Sequence, residues 1–214
     1  MPNVVEFAYF NLKEGVSVPD FLLVSDEFND GFLSAQKGYV SRKLLLDGKA
    51  WADLVFWDTM EDVNHAIRIA PDDIFASKYL AFLDGKDMYC HNFHIKRSYQ
   101  HQLIVPTVVT LVSYKLKEEV SAHDFLLSSV KLDKEYSSCD SDFISMKQLV
   151  DGDLWADLIF WKSMNGPHKV AKTELEGSNT AMNDYLSFIS GSETPFHHHF
   201  TVAKSYPLEG QTTL

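Results

Sequence analysis

The heptapeptide Trp51-Ala52-Asp53-Leu54-Val55-Phe56-Trp57 recurs as Trp155-Ala156-Asp157-Leu158-Ile159-Phe160-Trp161, 104 residues further along the chain. The repeat extends well beyond it. Val4 to Met60 falls on Val108 to Met164 without a gap, and 25 of those 57 positions are identical. Past that point the second half gains two residues, so that Tyr79-Leu80-Ala81-Phe82-Leu83 matches Tyr185-Leu186-Ser187-Phe188-Ile189. One more is gained before the last strand, where Phe93 matches Phe200 and Ser98-Tyr99 matches Ser205-Tyr206. Insertions of this kind belong in turns. Two units of about 100 residues make a duplicated domain, because solenoid repeats are shorter and more numerous. Whatever fold one half takes, the other must take as well.

Within the first half, Val4 to Leu12 is rich in β-branched and aromatic residues and runs into Lys13-Glu14-Gly15, which predicts a strand and a turn. Ser17 reads as an N-cap with Pro19 and Asp20 in the first turn, and the apolar spacing that follows predicts a helix to about Gln36. Gly38 punctuates; Tyr39 to Leu46 and Ala50 to Trp57 are strands around a hairpin signal at Asp47-Gly48. A second helical region opens at Thr59, breaks at Pro71 and resumes behind Asp72 and Asp73 to Leu83, and Met88 to Tyr99 is the last strand. The order β-α-β-β-α-β, twice, is the ferredoxin-like pattern. The expected fold class is therefore α+β, with repeats over residues 1–102 and 103–207 and a polar mobile tail over 208–214. An antiparallel sheet with helices on one face must bury the other, so the two repeats are expected to pack sheet to sheet as an intramolecular dimer. A monomer acting as its own dimer follows, with a homodimer through an exposed edge as the alternative.

Charge excludes some partners. With 19 basic against 30 acidic residues the net charge is −11, and no run of Lys or Arg offers a stripe for nucleic acid or an anionic membrane. The first apolar stretch is interrupted by Glu6 and follows no basic residue, and nothing approaches a membrane span, so a cytoplasmic protein is expected. Cys90 and Cys139 occupy unmatched places in the repeat and have no metal-like spacing, which fits reduced, incidental thiols.

Strand alternation puts Trp51, Asp53, Val55 and Trp57 on one face of the repeated strand. A carboxylate flanked by indoles is desolvated, and its raised pKa suits a general acid or base; Asp53 and Asp157 are the catalytic candidates on this ground. The structural alternative is a cross-strand ion pair. A two-residue turn at Asp47-Gly48 sets Arg42 opposite Asp53, and a one-residue slip sets Lys43 there and Lys147 opposite Asp157. Because Met146 stands at the position of Arg42, only the slipped register gives both halves a partner, which favours Lys43. Trp57 and Trp161, at strand ends, are placed to line a pocket mouth, although large aromatics also fill cores. In His197-His198-His199 neighbouring side chains point to opposite faces, so the three cannot hold one metal ion. His198 shares a face with Phe196 and Phe200, as its equivalent His91 does with Phe93, and this matched pair is the candidate for acid–base work or a haem ligand. No metal-binding, nucleotide-binding or serine-hydrolase motif is present.

Gly38-Tyr39-Val40-Ser41 opening the second strand, and a third strand ending in Trp57 and running into Thr59-Met60-Glu61-Asp62 with His65 in the next helix, resemble the dimeric α+β barrel superfamily and within it the antibiotic biosynthesis monooxygenase-like domains. The second half departs from that pattern with Asp142 in place of Gly38 and Gly166-Pro167-His168 in place of Asp62-Val63-Asn64. The resemblance implies a small-molecule enzyme, such as a cofactor-independent oxygenase or isomerase acting on an aromatic or apolar substrate. Tyr9, Trp57, His65 and Trp161 are then ligand-binding candidates beside Asp53, His91, Asp157 and His198. Two other readings stay open: a non-catalytic module for an apolar or haem-like ligand, and a structural or stress-related domain. The expected cofactor is none, with haem as the alternative.

Overall fold

The repeated heptapeptide is the third strand of each half in the computed structural model, which describes residues 2–139, 141–175, 180–191 and 196–206. Two compact units form, one from the chain up to His94 together with the last strand from Val202, the other from Ile95 to Thr201. The first unit contains β1 (Val4–Leu12), α1 (Val18–Gly31), β2 (Tyr39–Asp47), β3 (Ala50–Trp57), α2 (Met60–Ile69), α3 (Ile74–Leu80) and the beginning of β4 (Leu83–Gln100). The second contains β5 (Val108–Lys115), α4 (Ala122–Cys139), β6 (Phe143–Asp151), β7 (Leu154–Trp161), α5 (Asn165–Leu175), α6 (Thr180–Ser187) and the beginning of β8 (Phe196–Tyr206). Backbone hydrogen bonding orders the strands β1-β3-β2-β8-β5-β7-β6-β4 in a closed barrel.

In the first unit β3 runs antiparallel between β1 and β2, and β4 flanks β1. The second unit repeats this with β7 between β5 and β6, and β8 beside β5. Alternation along β3 is as the sequence requires. Phe21 of α1 meets Trp51 edge-on with ring centroids 4.9 Å apart, and Tyr79 of α3 bonds to Asp53, so the Trp-Asp-Val-Trp face looks toward the helices. Side chains start the helices: Ser17 accepts from the Asp20 N–H, Thr59 from Asp62, and Asp73 from both Phe75 and Ala76.

The first helix ends at Gly31, short of Gln36, and α3 at Leu80, short of Leu83; two further boundaries bear on the site. The hairpin turn is Gly48-Lys49, with Gly48 at φ 61°, so Asp47 pairs with Ala50 and Leu44, neither Arg42 nor Lys43, stands opposite Asp53. Strand β4 starts at Leu83 instead of Met88, because β1 shifts register between Tyr9 and Asn11 and then pairs Asn11 with Asp84 and Leu12 with Leu83. The expected tail over 208–214 lies outside the described residues. Among the described residues no helix is long and apolar enough to cross a membrane.

Candidate functional site

In the first unit the helix-facing aspartate is closed off. Arg42, fully buried, places Nη2 2.7 Å from Asp53 Oδ1 and donates to the same oxygen from Nε at 2.7 Å. Its Nη1 donates to the Ser25 carbonyl at 3.0 Å, and Tyr79 Oη donates to Asp53 Oδ2 at 2.8 Å. Three rings surround the guanidinium, with Phe28, Tyr79 and Tyr206 centroids 5.0, 5.1 and 5.3 Å from Cζ. Asp26 accepts from Tyr206 Oη at 2.6 Å and so holds that ring over Arg42. The expected Lys43 partner is corrected here. Lys43 points to the other face and donates to Ser205, and Lys147 donates to Ser98. Arg42 reaches Asp53 diagonally from two residues away on the same face, which a long side chain can do.

Beside this cluster Trp57 Nε1 donates to Glu6 Oε2 at 2.9 Å. Burial pushes the Glu6 carboxyl up to about 7, more than that hydrogen bond lowers it. A carboxyl raised on folding stabilises the fold below its unfolded pKa and loses that contribution as the pH rises through its folded value. Glu6→Gln is therefore expected to gain about 1–2 kcal/mol at pH 8, discounted for partial exposure, and nothing toward pH 4.5. Urea unfolding at the two pH values measures the difference.

The second unit carries the same aspartate without the arginine. Asp157 accepts from Tyr114 Oη at 2.9 Å and from Tyr185 Oη at 2.9 Å on Oδ1 and 2.7 Å on Oδ2. The two phenol oxygens lie 2.6 Å apart, and Gln148 Nε2 donates to Tyr185 Oη at 3.2 Å. Burial raises the Asp157 carboxyl to about 6 against the lowering by its hydrogen bonds from Tyr185, Tyr114 and Gln148. Asp157, Tyr114 and Tyr185 open on a cavity of roughly 220 Å³ between the sheet and α4, α5 and α6. Its other walls include Tyr136, Met146, Trp161 and Met182, with His197 and His199 on β8, and no Lys or Arg lines it among the described residues.

Position by position, the halves differ where it matters. Met146 stands for Arg42, Leu132 for Phe28, Gln148 for Leu44, Tyr114 for Phe10 and Thr110 for Glu6. His197 and His199 stand for Cys90 and Asn92. Register sets His197 in one row with Val112 and Asp157, so that its backbone lies two strands, or about 10 Å, from that of Asp157. Thr110 Oγ1 is 2.8 Å from His199 Nδ1 and accepts from Trp161 Nε1 at 2.9 Å. Burial lowers the His197 pKa, with His198 adding to the effect. Gly166 lies against the Trp161 ring so closely that a Cβ there would collide with it.

Of the residues singled out from the sequence, the structure brings Asp157 and Trp161 together at the cavity. Asp53 lies in the arginine cluster, and Trp57 is fully buried in the core of the first unit. Tyr9 and His91 pair with Ala52-side and Phe7 positions of the sheet, on the face away from Asp53. His198, opposite Leu111, likewise faces away from the cavity, while its neighbours face it. His65 is exposed on α2, with Arg68 Nη2 2.8 Å from its Nδ1. Tyr114, Tyr185, Gln148, His197 and His199 were not anticipated. For the histidines the signal was present: Cys90 and Asn92 break the repeat at those two places.

Compared by sequence, the chain matches no family model and no curated protein. Compared by structure, it is similar in fold to several solved proteins. An anthrone oxidase-like protein has a TM-score of 0.66 at 10% identity, over 96% of this chain and 93% of that one. Chlorite dismutase from Candidatus Nitrospira defluvii has a TM-score of 0.61 at 9% identity, over 92% and 90%. A haem-degrading enzyme from Listeria monocytogenes has a TM-score of 0.51 at 12% identity, over 93% and 99%.

Proposed function

We propose that the chain is a small-molecule enzyme of the monooxygenase-like type that works from its second half alone. The observation that carries this is the asymmetry of the repeat: Arg42 sits on Asp53 in the first unit, whereas in the second a cavity walled by Met146 and Leu132 lies beside Asp157, with no Lys or Arg among its described walls. A site of this size takes a small, flat, largely apolar molecule. Two kinds of group there can carry a proton: the Asp157 carboxyl, which burial raises to about 6, and the imidazoles of His197 and His199 on β8, two strands away. Removing a proton from a hydroxyaromatic or an activated C–H delocalises charge over the ring. The resulting anion either reacts with dioxygen or is protonated elsewhere, giving oxidation or isomerisation without a cofactor. The anthrone oxidase-like neighbour supports this reading of the fold.

Haem, which the name of the Listeria neighbour brings in, does not fit these residues. The cavity is smaller than the ~300–1,000 Å³ of pockets for drug-sized ligands, and it offers no Lys or Arg for propionates among its described walls. No step is routed through it. Titration with 2-naphthol is expected to quench tryptophan fluorescence in the wild type and not in Trp161→Phe, and an oxygen electrode is expected to record uptake with 2-naphthol or anthrone that His197→Ala abolishes. A haemin titration is expected to leave the Soret band at its free position. No quenching and no turnover with any hydroxyaromatic would sink the proposal.

A further inference from the structure

We infer that the second-half cavity selects an aromatic molecule carrying a positive charge, such as an aryl amidine or arylalkylamine, with Asp157 as the anchor of the cationic end. The inference rests on the reading of this cavity as the working site and names the chemistry of what enters it. The first half supplies the template. There the same aspartate, on the same strand and face, is satisfied by a planar cation lying against aromatic rings: the Arg42 guanidinium sits on Asp53, with Tyr79 5.1 Å away. Tyr185 is the counterpart of Tyr79 and bonds to Asp157 as Tyr79 does to Asp53. Tyr99, the counterpart of Tyr206, packs on the core of the second unit. Among the described residues around Asp157 there is no cation, Met146 standing where Arg42 does.

Physical chemistry favours supplying that cation from outside. A buried carboxylate is costly unless it is paired, and neutral donors compensate it only in part. Asp157 accepts from two neutral donors, Tyr114 and Tyr185, with Gln148 donating to Tyr185 behind them, and burial still dominates its titration. The aromatic faces of Tyr136, Tyr185 and Trp161 line the same space. Rings around a carboxylate, with no competing Lys or Arg among the described residues, form a receptor for an organic cation, and the desolvated site strengthens the cation–π attraction. A ligand that enters as a carboxylate meets the Asp157 charge with no Lys or Arg among the described walls to offset it. With the cationic end held at Asp157, the body of the ligand extends toward β8. His197 and His199 are then the groups left to exchange protons with it.

The test compares benzamidine, its neutral isostere benzamide and the anion benzoate by calorimetry on the full chain. Benzamidine is expected to bind at least 10-fold more tightly than benzamide at pH 7.5, with benzoate not binding. The groups facing the ligand are Asp157, Tyr114, Tyr136, Tyr185, His197 and His199. Burial raises the Asp157 carboxyl to about 6, and its protonation disfavours a cation, so the preference is expected to fade from pH 7 to pH 5. Asp157→Asn separates them: it should keep benzamide binding, lose the preference for benzamidine at pH 7.5 and flatten the pH profile. Equal binding of benzamidine and benzamide by the wild type overturns the charge selection and leaves the aromatic pocket standing. A preference that survives Asp157→Asn overturns the role of Asp157. Failure of every probe overturns the pocket reading together with this one. Should Asp157→Asn not fold, the wild-type comparison of the three probes decides by itself.

Discussion

Arg42→Met, which installs in the first half the residue that the second half already carries, is expected to destabilise the protein by about 3–5 kcal/mol. The substitution removes the Arg42 guanidinium from Asp53 and leaves the carboxylate buried with the Tyr79 phenol as its donor. It also removes a side chain packed between Phe28, Tyr79 and Tyr206, so a packing loss adds to the electrostatic one. Most of the cost is the unpaired charge, and that assigns the rescue. Arg42→Met combined with Asp53→Asn is expected to recover roughly half of the loss, because breaking a pair costs more than removing both charges. The second half already tolerates methionine there because Tyr114 and Gln148 have replaced Phe10 and Leu44 around its aspartate. Urea unfolding of the single and double variants checks both numbers. A single variant within 1 kcal/mol of wild type would show that the buried pair contributes little.

The architecture was legible because duplication and alternation are coarse signals. The WADLxFW strand announces itself twice, and period 2 alone places its tryptophans and aspartate on one face. The partner of Asp53 was missed for two reasons. One was the turn, which lies a residue further on than Asp47-Gly48, because Gly48 takes the positive φ at its first central position. The other was the premise that both halves must pair their aspartates alike, which made Met146 an argument against Arg42 when it marks the divergence of the two sites. The histidines show a different limit. Alternation separated His198 from His197 and His199 correctly, but apolar neighbours cannot say which face holds a cavity when both faces of β5 are apolar: Val108 and Val112 on one, Val109 and Leu111 on the other. The empty space itself follows from what is missing, Arg42 and Phe28 becoming Met146 and Leu132. A comparison of side-chain volumes between the halves was the clue that pattern reading passed over.

The reverse exchange tests that difference directly. Met146→Arg is expected to close the cavity and abolish binding of 2-naphthol, with at least a 100-fold loss of affinity, while leaving the protein as stable as the wild type or more so. An ordinary buried arginine would be ruinous. Here the surroundings are already those of Arg42. Asp157 offers the carboxylate, Tyr185 a ring at the place of Tyr79, Tyr99 one at the place of Tyr206, and Ser129 a carbonyl at the place of Ser25. Phe28 and Asp26 have no counterpart, Leu132 and Val130 standing in their places, and the smaller Leu132 leaves room for the guanidinium. Strands β6 and β2 share their register against the central strand, Met146 opposite Ile159 as Arg42 is opposite Val55, so the new side chain starts from the same point. Pairing also pulls the Asp157 carboxyl below its present value of about 6, so the loss of stability on raising the pH through that value should disappear. Fluorescence titration and urea unfolding of one variant thus read site and fold separately. A folded Met146→Arg protein that still binds 2-naphthol as the wild type does would place the ligand somewhere other than beside Asp157.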